Sequence, residues 1–213
     1  MIFITGTDTG VGKTYISSII GEHLKDKLKV AYLKPIETGG RGDTLTLKKI
    51  LNLDEPLDII NPINLSLPLS PNIAFDVENI NIDLKEIKER IAKSYNYLKD
   101  KYDFLIVEGA GGVCVPIKDK FLMSDLIKFL DLPAIIVSRP NLGTINHTLL
   151  TIEHLRNKGV EIRGVIINCI TPLKEVLYYK KTFETIKEVG DVEIIGVVES
   201  KNKYWINFDK VKY

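Results

Sequence analysis

The segment that most constrains this fold is Gly6-Thr7-Asp8-Thr9-Gly10-Val11-Gly12-Lys13-Thr14. It follows an apolar run at 2–4 and precedes apolar residues at helical spacing, namely Ile16, Ile19, Ile20 and Leu24. Glycines let backbone N–H groups close on an anion, and a new helix directs its positive end at the same point. The order strand, glycine-rich loop, Lys-Thr and helix therefore predicts a phosphate-binding loop.

The match to the P-loop pattern has one irregularity. The first glycine of that pattern would stand at position 7, where this chain has Thr7, and Gly6 lies one residue early. A turn that happens to precede a helix with Gly-Lys-Thr is the alternative. We expect Lys13 to supply a cation to the phosphates and Thr14 to hold Mg2+ through its hydroxyl.

Short apolar runs rich in Val and Ile alternate with helical patterns along the chain. Continuous apolar residues are typical of strands buried on both faces, so we expect an α/β fold with a mainly parallel sheet between two layers of helices. This is the P-loop NTPase type, and we expect one domain over 1–213. The predicted strands are 2–5, 30–33, 104–107, 134–137, 165–167 and 194–198.

The composition favours an ordinary globular protein. The formal net charge is +1 with interleaved signs, so no basic surface predicts binding to nucleic acid or to a membrane. Met1 leads directly into a strand and no apolar run is long enough to span a bilayer, so a cytoplasmic protein is expected. Cys114 and Cys169 lack metal-ligand spacing, and we expect two reduced cysteines in the core.

Polar residues follow the predicted strands where ligands of such folds collect. Lys34 ends the second strand and is placed to meet substrate, although a solvated loop lysine is the alternative. Asp43 precedes a predicted helix at 44–50, and capping alone could explain it. Glu108 follows a buried strand and precedes glycines, which is typical of a Mg2+ ligand beside phosphates, and a plain turn is the alternative.

Three further segments carry weaker signals. The helix predicted at 148–158 follows a loop whose N–H groups could bind a carboxylate, with simple capping as the alternative. Asn168 ends a strand and could pair with a purine edge or only form a turn. The Pro-rich segment 61–75 is predicted to be a loop packed over a site. Helices are predicted at 84–98 and 173–189, and the tail at 204–206 is expected to pack on the body.

Five ordered signatures resemble the dethiobiotin synthetase family of P-loop enzymes, and the resemblance runs nearly end to end. The signatures are Gly6 to Thr14 above, Lys34-Pro35-Ile36-Glu37-Thr38-Gly39, Val107-Glu108-Gly109-Ala110-Gly111-Gly112, Leu142-Gly143-Thr144-Ile145-Asn146-His147 and Asn168-Cys169-Ile170-Thr171-Pro172. The resemblance implies an ATP- and Mg2+-dependent ligase that joins 7,8-diaminononanoate and CO2 into dethiobiotin. It also implies a homodimer with active sites at the subunit interface.

The resemblance assigns roles residue by residue. Catalysis is assigned to Lys34, Lys13 and Thr9, and the metal to Thr14, Asp43 and Glu108. The nucleotide is assigned to Gly10, Val11, Gly12, Lys13, Thr14, Tyr15, Asp43, Glu108, Gly109, Ala110, Gly111, Asn168, Cys169 and Glu199. The diamine is assigned to Thr38, Gly112, Gly143, Thr144, Ile145, Asn146 and Tyr179, with Tyr178 as the alternative tyrosine.

Two departures and one alternative accompany this assignment. Glu37 stands where relatives often have a small or amide residue, and 196–199 differs from a Gly-x-Ile-Pro pattern at the base pocket, so another nucleotide could serve. The alternative function is a regulatory P-loop ATPase of the cell-division type. Such proteins carry a signature lysine where this chain has Asp8, and the related cobyrinate ligases carry an additional glutaminase domain.

Overall fold

The computed structural model describes residues 1–169 and 176–212, and for 176–178 it describes the backbone alone. The strands are β1 (Ile2–Gly6), β2 (Val30–Leu33), β3 (Ile36–Thr38), β4 (Ile63–Leu65), β5 (Phe104–Glu108), β6 (Pro116–Lys118), β7 (Phe121–Leu122), β8 (Ala134–Ser138), β9 (Ile162–Asn168), β10 (Ile194–Ser200) and β11 (Lys203–Ile206). The helices are α1 (Lys13–Leu24), α2 (Gly42–Leu51), α3 (Leu57–Ile60), α4 (Pro71–Val77), α5 (Leu84–Lys101), α6 (Met123–Phe129), α7 (Thr144–Asn157), α8 (Val176–Gly190) and α9 (Phe208–Lys212).

The main sheet has seven strands in the order β11-β10-β9-β8-β1-β5-β2. Every neighbouring pair is parallel except β10 and β11. All the strands predicted from the apolar runs are present, and the predicted fold class is confirmed. Because β1, β2, β5 and β9 are parallel, the residues that follow them meet at one edge of the sheet.

Two hydrophobic cores lie on opposite faces of the sheet. Along β1, Ile2 and Ile4 belong to one core and Phe3 to the other, as the period of two in a strand requires. Helices α1, α2 and α9 cover the first face, and α5, α6, α7 and α8 cover the second. Among the described residues, no helix is both long and apolar enough to cross a membrane.

Several local predictions were wrong. The segment 61–75 is not an irregular loop. It contains β4, which pairs in parallel with β3, and the start of α4. Helix α4 begins at Pro71, and proline is favoured in the first turn of a helix. Helix α7 begins at Thr144, four residues before the predicted start. The tail prediction is confirmed, since β11 pairs with β10. Residues 170–175, where the predicted start of the helix at 173 falls, lie outside the described residues.

Candidate active site

The phosphate-binding loop joins β1 to α1 and depends on left-handed glycines. Gly10 and Gly12 have φ values of 71° and 92°, and a Cβ on Gly12 would lie 2.0 Å from the Asn168 side-chain nitrogen. Asn168 Nδ2 itself donates to the Val11 carbonyl oxygen at 2.8 Å. The loop can therefore pack against the end of β9 only with glycine at position 12.

Lys13 begins α1 and is buried within the loop. Its ammonium donates to the Asp8 carbonyl oxygen at 3.2 Å. Burial and the nearby Lys34 ammonium lower the pKa of Lys13 to about 8. An anion bound at the loop would stabilise the charged form of Lys13. This is consistent with the predicted contact between Lys13 and a phosphate.

Lys34 directly follows β2 and lies inside the protein, at 2% exposure. Its Nζ lies 2.7 Å from Asp43 Oδ2, 2.6 Å from Glu108 Oε1 and 3.3 Å from the Gly109 carbonyl oxygen. Burial opposes the ammonium, but the Glu108 and Asp43 carboxylates outweigh it and raise the pKa of Lys34. The interpretation of Lys34 as a solvated loop lysine is therefore wrong.

Glu108 ends β5 and is fully buried. It accepts hydrogen bonds from Thr14 Oγ1 at 2.8 Å and Ser17 Oγ at 2.7 Å, as well as from Lys34. Ser17 was missed by the sequence analysis. Its position three residues after Thr14 is the signal that could have revealed it, because residues at this spacing share one face of a helix.

Asp43 does not cap α2, contrary to the prediction. It lies in the first turn of that helix, and Lys34 holds the pKa of the Asp43 carboxyl below its ordinary value despite the opposing effect of burial. The cap comes from Glu37 on β3, whose carboxylate accepts the Asp43 N–H at 2.7 Å and the Thr44 N–H at 3.2 Å. Asp43 is thus free to face the buried lysine.

These groups surround one cavity of about 340 Å³. The lining residues are Thr9, Gly10, Gly12, Lys13, Thr14, Lys34, Glu37, Thr38, Asp43, Ala110 and Gly111. Gly109 follows β5 at the same edge and is buried, with its backbone N–H bonded to the Ile4 carbonyl oxygen. The structure brings together most of the predicted nucleotide residues and the predicted catalytic pair of lysines.

The oxygen ligands at this cavity fit a hard divalent cation. Thr14 contributes a hydroxyl, and Asp43 and Glu108 contribute carboxylates that converge on the Lys34 ammonium. No cluster of three or more His, Cys, Asp or Glu suited to a metal occurs in the part of the chain that is described. Mg2+ is commonly held by one or two carboxylates together with substrate phosphates, so Thr14, Asp43 and Glu108 are the residues that could hold it here.

A second cavity, of about 520 Å³, adjoins the first along the other side of Thr9. Gly112, Cys114, Pro116 and His147 are among its lining residues. Gly112 thus lies where a substrate next to the phosphates could extend. Cys114 is exposed rather than in the core as predicted, whereas Cys169 is buried, and both thiols are free.

The predicted base-binding residues gather only in part. Cys169 follows Asn168 at the end of β9, and its N–H donates to the Val198 carbonyl oxygen at 2.6 Å. The side-chain oxygen of Asn168 is buried and has no hydrogen-bond partner among the residues that the structure describes. Glu199 forms an ion pair with Lys203 at 2.5 Å, and Tyr15 packs against one hydrophobic core. Neither residue is among those that line the phosphate cavity.

The start of α7 forms a third cavity, of about 720 Å³. Gly143 precedes the helix with φ of 93°, and Tyr179 of α8 faces the same space. The lining residues are Pro140, Asn141, Leu142, Gly143, Thr144, Ile145, Asn146, Leu149, Tyr179 and Thr182. Residues 143–146 and Tyr179 therefore come together as predicted, and the Tyr178 side chain lies outside the described residues.

Buried hydroxyl groups fix the start of α7 on the sheet. Ser138 Oγ at the end of β8 lies 2.7 Å from Thr144 Oγ1 and 2.8 Å from Thr148 Oγ1. These contacts join two turns of the helix to one strand end. The N–H groups of the first turn are consequently presented beside the third cavity.

Comparison with known proteins covers nearly the whole chain. A family model described as an AAA domain matches residues 1–204. The crystal structure of the cell division ATPase MinD from Pyrococcus furiosus has a TM-score of 0.57 and 17% identity, covering 93% of this chain and 83% of that chain. At this identity the likeness shows the shared fold alone.

Sequence relatives give a closer match. The ATP-dependent dethiobiotin synthetase BioD of Methanocaldococcus jannaschii is 72% identical over 212 residues, covering 99% of each chain. The protein of the same name from Methanococcus aeolicus is 68% identical over 214 residues, again covering 99% of each chain. The chain belongs to the family of ATP-dependent dethiobiotin synthetases.

Proposed function

We propose that this chain converts 7,8-diaminononanoate, CO2 and ATP into dethiobiotin, ADP and phosphate. The observation that carries the proposal is that Lys13, Lys34 and Asp43 line a cavity formed by a P-loop, with the buried Glu108 carboxylate paired to Lys34 behind it. Phosphoryl transfer between two anions needs such an arrangement of cations and metal ligands. The family membership supplies the identity of the substrates.

The reaction divides into three steps. One amine of the substrate attacks CO2, forms an N–C bond and loses a proton to give a carbamate. A carbamate oxygen then attacks the γ-phosphorus of ATP, the bond to ADP breaks, and a carbamic-phosphoric anhydride forms. The second amine attacks the carbonyl carbon and loses a proton, phosphate leaves, and the urea ring closes.

The two lysines oppose the repulsion between carbamate and triphosphate. Lys13 lies in the P-loop, and Lys34 reaches the same cavity from the end of β2. In this proposal Lys34 donates to the transferring phosphoryl group, where added negative charge develops. Thr9 and Thr38 orient the carbamate and phosphates, and this positioning converts an encounter of several molecules into intramolecular steps.

Thr14, Asp43 and Glu108 would hold Mg2+ in this proposal. When bound there, the ion would supply positive charge that offsets the charge of the phosphates. Ser17 supports the site because its hydroxyl orients the Glu108 carboxylate. Asn168 would contact the adenine base through its unpartnered side-chain oxygen.

The far carboxylate of the substrate would bind at the start of α7 in a second copy of the chain. The N–H groups of Ile145 and Asn146 and the Tyr179 hydroxyl would supply donors suited to a carboxylate, whereas the Thr144 N–H is already bonded to the Asn141 carbonyl oxygen. Leu142 beside them is fully exposed. We therefore propose a homodimer with a shared active site. We also propose a cytoplasmic location, which the free thiols of Cys114 and Cys169 support.

The test is a product assay with purified protein. We expect ADP and dethiobiotin to form in equal amounts only when diamine, bicarbonate, ATP and Mg2+ are all present, with each omitted in turn as a control. Diamine-independent ATP turnover stimulated by lipid vesicles or a partner protein would instead favour the cell-division type of ATPase. ADP release without dethiobiotin would also contradict the proposal.

A further inference from the structure

Glu37 is a carboxylate beside the phosphate cavity to which the proposed reaction gives no role. It lies on β3, it is 5% exposed, and it lines the phosphate cavity. Its Oε1 accepts the Asp43 N–H, and its Oε2 accepts both the N–H and the hydroxyl of Thr44. The carboxylate is thus engaged by three donors of one helical turn.

Helix α2 has no cap of its own. The residue before it is Arg41, whose side chain makes no capping hydrogen bond. The first N–H groups of a helix need external partners, and a carboxylate there is also favoured by the helix dipole. Because the Leu45 N–H already bonds to the Arg41 carbonyl oxygen, Glu37 supplies partners for two N–H groups that precede it.

The capped turn is the one that carries Asp43. The Asp43 N–H is fixed by Glu37, and the Asp43 carboxylate is fixed by Lys34 at 2.7 Å. We propose that Glu37 is a positioning residue that clamps the start of α2 to β3, so that the Asp43 carboxylate stays beside Glu108 and Thr14 as a metal ligand. This inference rests on the proposed function.

This assignment differs from a direct substrate role. A carboxylate beside the carbamate could bind a substrate amine, but both Glu37 oxygens are already occupied by donors from α2. The Glu37 carboxylate therefore interacts with the start of α2 and not with the substrate. Outer partners of metal ligands influence metal affinity by about ten- to a hundredfold, so the effect should appear in Mg2+ dependence.

The experiment measures ADP affinity by calorimetry with and without Mg2+ for wild type, Glu37→Ala and Glu37→Gln. We expect Glu37→Ala to reduce the gain in affinity that Mg2+ provides on the order of tenfold, while metal-free affinity stays within about twofold. Glu37→Gln should recover part of the loss, because its amide oxygen still accepts one N–H. The KM for Mg2+-ATP should rise in the same order.

Asp83→Ala is the matched control. Asp83 caps α5 by accepting the Glu86 N–H at 2.8 Å, and it lies outside the residues of the phosphate cavity. Its loss should lower stability, measured by thermal unfolding, without changing the Mg2+ dependence. A variant that loses only stability reports a structural cap, and one that loses the Mg2+ effect reports positioning.

Three outcomes would overturn the inference. The first is a Glu37→Gln protein that unfolds earlier but keeps the full Mg2+ effect, which is the informative result if Glu37→Ala does not fold. The second is equal loss of Mg2+-dependent and metal-free affinity. The third is a wild type whose ADP affinity is independent of Mg2+. The binding assay needs no diamine, so failure of the proposed synthetase reaction would be recognised separately.

Discussion

The phosphate cavity and the cavity at the start of α7 differ in almost every physical respect. The first is lined by charged groups that satisfy one another, with Lys34 held between Asp43 and Glu108. The second is larger and has no charged residue among its described lining residues, and Leu142 beside it is fully exposed. The first cavity therefore has its charges already paired, whereas the second is a mainly apolar surface at the start of a helix.

This difference separates the chemistry from the recognition of the substrate tail. A phosphoryl-transfer site must hold its charges in fixed positions, so it is built within one chain on strand ends and a glycine-rich loop. A site for an apolar tail with a terminal carboxylate needs only surface area and a few donors. Substitutions in the phosphate cavity should therefore reduce turnover, and substitutions at the start of α7 should reduce the affinity for the diamine.

The largest effect is expected for Lys34→Met. We expect product formation to fall about a hundredfold because a cation that stabilises the transition state is lost, with nucleotide affinity changed little. The fully buried Glu108 carboxylate also loses its partner, which costs roughly 3 to 5 kcal/mol of stability. Lys93→Met, at an exposed lysine of α5, is the control, and rates are compared where circular dichroism shows both variants folded.

An equal loss of nucleotide binding in Lys34→Met would show that the residue belongs to ground-state binding. A normal rate would place the chemistry elsewhere. Either result would remove the distinction between a catalytic cavity and a recognition cavity.

The next effect is a pH dependence of nucleotide affinity. The pKa of Lys13 is lowered from 10.5 to about 8, so the ammonium is present below pH 8 and is lost as pH rises through this value. A bound phosphate favours the charged form, so affinity should be level below pH 8 and fall by up to about tenfold per unit above it. Calorimetry of ADP binding between pH 7 and 9.5 measures this directly.

The matched variant is Lys13→Arg, which stays charged throughout this range and should give a flat profile. A wild-type profile that is also flat would mean that Lys13 keeps its proton at high pH. The charge in the loop would then not limit binding.

The smallest effect is expected at the start of α7. Tyr179→Phe removes one hydroxyl and should raise the KM for the diamine about threefold to tenfold with little change in kcat. Tyr204→Phe, on β11, removes a hydroxyl from an exposed tyrosine and serves as the control. A fall in kcat with unchanged KM would mean that the third cavity takes part in catalysis and not in recognition.

The sequence predicted the phosphate cavity well because its parts follow from local rules. Buried strands appear as continuous apolar runs, and the residues after parallel strands meet at one edge, which brings Lys34 and Glu108 beside the P-loop. Contacts between residues that are distant in the sequence cannot be predicted from these local rules. The Glu37 cap requires β3 to fold back onto α2, and no spacing within the sequence reports that contact.

Other errors have local causes. Helix α7 begins at Thr144 and is preceded by Gly143, whose left-handed backbone replaces the Ser, Thr, Asp or Asn that usually precedes a helix. The segment 61–75 contains three prolines, which favoured a loop over the three-residue strand β4 and the helix α4. Short elements held by a neighbouring strand are set by tertiary contacts more than by propensity.

The charges in and beside the phosphate cavity nearly cancel. Lys13 and Lys34 contribute two positive charges, against three negative charges from Glu37, Asp43 and Glu108. A site with such a balance produces only a weak electrostatic potential in the solvent. The association rate constant of nucleotides should therefore depend little on ionic strength. Selection among anions would then take place after contact, through close fit to the loop, and not during approach.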